Sequence, residues 1–236
     1  MASQKIDVLP IAEILPKYPT IAWLIQKLKP WLLKKLLIVR PKKPGDAYTE
    51  QFSFPAAELV KNKAVLEGWI VIDLQANDAS REKVTSAITE QKPSFVIQYD
   101  HGSTYVLWGQ ESNVLEPAID LSNVSLISGR ALSTVSCQTA AGLGPSAIAA
   151  TARAYLGYDE LHWVHLWHLA EFTEAANAAN YALLEGKTFL EAYNIGYNKY
   201  TQKYNQLLPV NTVAASLMLH DRDHLTRLGD PSARAY

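Results

Sequence analysis

The chain has 236 residues, 48% of them hydrophobic, which is enough for a sizeable core that needs no covalent staple. Lys and Arg number 22 against 23 Asp and Glu, a formal net charge of -1, so no overall field draws in nucleic acid or acidic lipid and any charge-based recognition has to be local. A single cysteine excludes an internal disulfide, and Pro10, Glu13, Pro16 and Lys17 interrupt any apolar leader, so a reducing, cytoplasmic setting is expected over secretion.

Residues 1–35 are predicted as an N-terminal helical extension, cut by prolines at 10, 16, 19 and 30 into two or three short helices. The most membrane-like stretch, Ile21 to Val39, carries Lys27, Lys29, Lys34, Lys35 and Pro30, so it does not read as a spanning helix. Its Trp, Leu and Lys content suits a helix packed on its own domain with Lys outward, and also permits peripheral contact with a membrane or partner. "KKLLIVRP" then reads as a buried strand, Pro55 to Leu66 as a helix, and "GWIVIDLQ" as a second strand. "NDASREKVTSAITEQ" reads as a helix capped by Asp78 or Ser80, and "PSFVIQYD" as a third strand. "STYVLWGQ" suggests a short hairpin, and "EPAIDLSNVSLISGRAL" holds a helix-sized stretch.

"LSTVSC" is the fourth strand, "GLGPSAIAATA" a small-residue helix and "ARAYLGY" a fifth strand. From His162 onward the chain is expected to be mostly helical: one helix closed by Gly186, one capped by Thr188, a last one over Asn211 to Leu219, then a coil or short strand. Apolar strands without in/out alternation, separated by amphipathic helices, predict an α/β fold with a mostly parallel sheet between layers of helices.

Functional groups in such a sheet gather past the carboxyl ends of the strands. "FVIQYD" runs into His101-Gly102-Ser103, and "LSTVS" runs into Cys137-Gln138-Thr139. A cysteine thiol is mostly protonated at neutral pH and needs an imidazole to take its proton and later protonate a leaving amine. If the two strands are neighbours, His101 and Cys137 form such a pair, and the N–H groups of Gly102 and Cys137 are suited to an oxyanion. Singly, a lone cysteine is often a small buried hydrophobe and a strand-end histidine a plain surface residue; the placement of both directly after apolar strands gives the functional reading equal weight.

"FVIQYDHGS" and "LSTVSCQTA" resemble the two motif blocks of the caspase-like cysteine peptidases, the clan of caspases, legumain, clostripain, separase and gingipains. "GPSAIAATARAYLGY", "LEGKTFLEAYNIGYNKY" and "LTRLGDPSARAY" are similar to later landmarks of its gingipain-like branch. The resemblance covers roughly residues 36 to 236 and implies a three-layer caspase-like peptidase domain there. It implies a cysteine endopeptidase with His101 as general base and acid, Cys137 as nucleophile, and Gly102 and Cys137 as oxyanion donors. It further implies a pocket for one substrate side chain after the fifth strand, where Asp159 would select Arg or Lys, with Asp100 and Glu160 behind it and Tyr158 or Trp108 as an aromatic wall. The implied partner is a protein or peptide substrate, with no cofactor. A catalytically silent domain that binds a peptide through the same cleft is the alternative. The residues before Leu36 match nothing in the family's peptidase core, and oligomeric state is not set by the sequence.

Other constellations are weaker. His162, His165 and His168 fan around a helical pitch instead of forming a metal-binding i, i+4 pair, and His220 and His224 lack a following Glu, so no metal is expected. Gly142 and Gly144 precede a helix without the Lys-Ser/Thr ending of a phosphate loop, which favours close helix packing. Tyr181, Tyr193, Tyr197, Tyr200 and Tyr204 read as core or partner-facing positions.

Overall fold

The computed structural model describes residues 34–110 and 116–236, so the expected extension over 1–35 lies, apart from its last two residues, outside the described residues. Six strands form the main sheet: β1 (Lys35–Arg40), β2 (Ile70–Gln75), β3 (Phe95–Tyr99), β7 (Ala131–Val135), β8 (Ala154–Tyr158) and β9 (Leu225–Gly229), in the order β2-β1-β3-β7-β8-β9. All pairings are parallel except β8 with β9. A small antiparallel sheet joins β4 (Gly102–Ser103), β5 (Val106–Trp108) and β6 (Pro117–Asp120).

The helices are α1 (Phe54–Leu66), α2 (Arg81–Ser86), α3 (Leu143–Ala149), α4 (Leu169–Leu184), α5 (Phe189–Leu207) and α6 (Thr212–His224). They cover both faces of the sheet, which is why the inner strands β1, β3, β7 and β8 are buried over most of their length, whereas the edge strands β2 and β9 are half-exposed. In β1, Leu36 and Ile38 face one core with Phe95, Ile97 and residues of α1 and α4, while Leu37 and Val39 face a second core with Val96, Leu132 and Tyr155. All four β1 residues are fully buried, worth roughly 1.5–3 kcal/mol each.

Alanines bring α4 close to the sheet: Ala175, Ala179 and Ala182 are buried on it. A polar network fixes the contact. Tyr99 donates to Asn177 Oδ1 at 2.6 Å, Asn180 Nδ2 donates to Tyr99 at 2.8 Å, and Ser133 donates to Asn180 Oδ1 at 2.7 Å, so these buried groups are satisfied. Gly186 closes α4 at φ +85, and Thr188 with Glu191 forms a capping box on α5. Ser80 accepts from the Lys83 N–H at the start of α2.

Two stretches depart from the sequence expectations. Glu116 to Leu132 holds no long helix; β6 is followed by a single 3₁₀ turn over Val124–Ile127. Side chains there claim the backbone: Asp120 Oδ1 accepts the Ser122 N–H, Asn123 Oδ1 accepts the Asp120 N–H, and Arg81 grips the Asp120 carboxylate. The second departure is residues 161–165, which run as an irregular strap before the 3₁₀ turn Leu166–His168 leads into α4. The strap's backbone is engaged by tertiary partners, as described below. Among the described residues no helix is long and apolar enough to cross a membrane.

Candidate active site

β3 and β7 pair in parallel from Phe95 opposite Ala131 to Tyr99 opposite Val135. Asp100-His101 and Ser136-Cys137 therefore leave the sheet side by side at its carboxyl edge. Gly102 lets the two exits touch. A Cβ there would fall 2.8 Å from the Cys137 carbonyl oxygen, 2.8 Å from Thr139 Cγ2 and 2.9 Å from Ser136 Cβ. The glycine's missing side chain thus faces the cysteine loop. The Trp108 N–H donates to the His101 carbonyl at 3.3 Å, and in the antiparallel alternation Gly102 then turns its own N–H away from β5.

The loop after β1 reaches the same edge. Gly45, at φ +81, turns it so that Asp46 Oδ2 lies 2.6 Å from His101 Nε2. Burial alone would raise the Asp46 carboxyl, but the hydrogen bond and charge of His101 and the N–H groups of Tyr48 and Thr49 outweigh it and hold the group below the usual carboxylate range. Tyr48 packs against the His101 ring at 4.9 Å between centroids.

Cys137 is half-buried. Its Sγ accepts the His162 N–H at 3.4 Å, and the thiol donates to the His162 carbonyl at 3.8 Å. Burial pushes the thiol up, against the opposing pull of the His162 N–H and of its own N–H, so the resting group is a neutral thiol. Gln138, the next residue, sits in the left-handed region at φ +59, held by its N–H to the Glu160 carbonyl at 2.8 Å.

A cavity of about 270 Å³ opens beside these groups. His101 and Cys137 both line it. Tyr48 and Phe52, the strap residues Leu161, Trp163 and Val164, and Leu166 at the start of the following turn complete the lining. His162 also contributes to the lining, although its side chain is buried. Its Nδ1 is 3.4 Å from the Tyr48 hydroxyl, and its Nε2 is 3.3 Å from the Tyr200 hydroxyl and 3.6 Å from Asp221 Oδ2. Burial drives this imidazole down to about 3 and pushes the Asp221 carboxyl well above its usual range, so the close pair is neutral despite its ion-pair spacing.

The structure places the other expected substrate residues elsewhere. Asp159 is engaged by His224 Nδ1 at 2.8 Å and by the Thr226 hydroxyl at 3.1 Å. Tyr158 is core, its hydroxyl 2.6 Å from that of Tyr200. Asp100 is buried against Lys43 Nζ at 3.0 Å, and burial pushes its carboxyl up to about 6 in spite of that partner. Trp108 lies in β5 with its carbonyl accepting from Gln98 Nε2 at 2.6 Å. None of the four lines the cavity, nor does Glu160, and among the described residues the lining holds no carboxylate. Conversely, the sequence reading passed over Asp46, Tyr48, Phe52 and the strap. The strand-end rule that singled out β3 and β7 applies equally to β1, and would have found Asp46. Among the described residues no group of three or more His, Cys, Asp or Glu is arranged to hold a metal ion.

Solved structures with this arrangement of strands and helices include the Arg-specific cysteine proteinase gingipain R, at 15% identity with a TM-score of 0.61, covering 87% of this chain and 48% of that one. The fold is gingipain-like. A complex of Porphyromonas gingivalis RgpB pro- and mature domains superposes with a TM-score of 0.60 at 14% identity, covering 87% of this chain and 49% of that one. A third structure, described only as a protease, gives 0.61 at 14%, covering 86% and 48%. The chain thus spans about half the length of these gingipain-fold chains. No protein-family model matches it, and no curated protein matches it in sequence. The three-layer caspase-like architecture expected from the sequence is the one observed.

Proposed function

We propose that the protein is a cysteine endopeptidase acting through Cys137 and His101, with Asp46 orienting the imidazole. The observation that carries this reading is the convergence of Cys137 and His101 from adjacent parallel strands onto one cavity, with Asp46 on the His101 Nε2. As Sγ attacks the scissile carbonyl carbon, His101 Nδ1 takes the thiol proton. The carbonyl oxygen becomes an oxyanion, for which the N–H groups of Gly102 and Cys137 are the donors. Collapse breaks the C–N bond as His101 returns the proton to the leaving amine, leaving a thioester. Water then attacks that thioester with His101 again as base, releasing the acid and the free thiol. Asp46 keeps the imidazole in one tautomer and stabilises the imidazolium formed at each step.

A silent peptide-binding domain is the competing reading, and the burial that keeps the Cys137 thiol protonated is what favours it. Thiol-reactive peptidyl probes spanning basic, acidic and apolar terminal residues separate the two. Covalent labelling of the wild type but not of Cys137→Ala is the expected result. A folded chain that no probe labels, yet that binds peptide, would sink the peptidase reading.

A further inference from the structure

The cavity beside the thiol is walled by apolar groups. We infer that it seats the substrate side chain preceding the scissile bond, and that it selects a large apolar residue, such as Leu, Met, Phe or Tyr, instead of a charged one. This rests on the peptidase reading above and adds the substrate class to it.

Position comes first. Cys137 and His101 line the same cavity as Tyr48, Phe52 and the strap, so a side chain entering it lies next to the bond under attack. A volume of about 270 Å³ lies just under the range of small-ligand cavities, roughly 300 Å³ upward, and so takes one side chain and not several.

Chemistry comes second. The walls are the rings of Tyr48, Phe52 and Trp163 and the aliphatic groups of Leu161, Val164 and Leu166. A basic side chain would be desolvated there without a carboxylate among the described lining residues. The buried Asp221 stands behind His162, and its Oδ1 already accepts the Trp163 N–H at 2.9 Å. An acidic side chain fares no better. The lining contributes no Lys or Arg among the described residues, and His162 is held neutral by burial and stacks on Phe52 at 5.5 Å. Aromatic and aliphatic side chains gain from the same walls through burial and ring contacts.

The nucleophile and the apolar wall are also physically joined. The His162 N–H donates to Cys137 Sγ, so strap and thiol keep a fixed spacing. The strap in turn is pinned to α6, with His220 Nε2 2.9 Å from the Leu161 carbonyl and Asp221 holding the Trp163 N–H. Such a wall is preorganised before any peptide arrives.

The test uses the full chain and a series of peptidyl acyloxymethyl ketones identical except for a terminal Leu, Phe, Arg, Lys or Asp, with labelling rates read by intact mass. Leu and Phe probes should label Cys137 at least about 10-fold faster than the charged ones. Fastest labelling by Arg, Lys or Asp, or equal rates throughout, would overturn the apolar assignment while leaving the peptidase reading intact. If iodoacetamide alkylates Cys137 in the folded chain and no peptidyl probe does, the peptidase reading falls and this inference with it. Leu166→Asp supplies a second arm, since that half-exposed side chain tolerates a charge. It should raise the Arg-to-Leu rate ratio by about 10-fold or more, and a folded variant with an unchanged ratio would show that the cavity is not the seat.

Discussion

The two sides of the cavity are held by opposite means. On the sheet side, His101 and Cys137 stand at the ends of paired strands, and their loops are locked by a glycine contact too tight for any side chain and by the Asp46 carboxylate. On the strap side, half-exposed Leu161 and Trp163 on irregular backbone, and Leu166 at the start of the following 3₁₀ turn, present apolar surface. The first side holds the His101 ring to the Asp46 carboxylate at 2.6 Å. The second offers shape and hydrophobicity, which on the inference above would discriminate between substrates without taking part in bond making.

On the proposed mechanism, removing the Asp46 carboxylate on the sheet side should have the largest effect. Asp46→Asn is expected to lower kcat by between about 10-fold and the roughly 10⁴-fold seen when a triad carboxylate becomes an amide, with KM little changed. A fall in KM-dependent binding alone, with kcat preserved, would move Asp46 from the reacting side to a structural role.

A second change concerns the buried charge behind that side. Asp100 is pushed up to about 6 by burial, so the folded state holds its proton more tightly than the unfolded chain does. Stability is therefore fullest below about pH 4 and declines as pH rises to about 6, by about 3 kcal/mol from this group. Denaturant titrations of wild type and Asp100→Asn at pH 4 and pH 7 should show the wild type losing ground relative to the variant by that order. Parallel profiles would mean that Lys43 fully compensates the buried carboxylate.

The smallest effect sharpens the contrast most directly. Gly102→Ala drives a methyl into the Cys137 loop and is expected to cost about 1–3 kcal/mol, whereas Leu166→Ala on the strap should cost below about 1 kcal/mol. Equal costs in urea melts would mean that the two sides are equally rigid.

The main strands were legible because fully buried runs such as "LLIV" and "FVIQY" have no other use in a chain of this size. Their alternation was hidden by the two cores, one on each face. The small sheet was less visible: β4 has two residues and β6 four, and what sets β6 apart from a helix is the Asp120, Asn123 and Arg81 hydrogen bonding, which depends on a partner 39 residues away. In the candidate site, His101 and Cys137 were readable from their strands. Asp46 was within reach of the same strand-end rule applied to β1, whereas Tyr48 and Phe52 were not, because only folding brings them to the rings of His101 and His162. The strap was misjudged as helix because its amide groups are spent on Cys137 and Asp221, partners that lie far off in the chain.

The strap is fastened by its main chain and by one buried side chain: the Leu161 carbonyl, the His162 N–H and the Trp163 N–H make anchoring bonds, and the His162 ring sits between the Tyr48 and Tyr200 hydroxyls. The side chains of Leu161, Trp163, Val164 and Leu166 are absent from those bonds. On the inference above they form an interchangeable face on a fixed mount, so a new preference could be written into four positions without refitting Cys137, His101 or the helix that holds the strap.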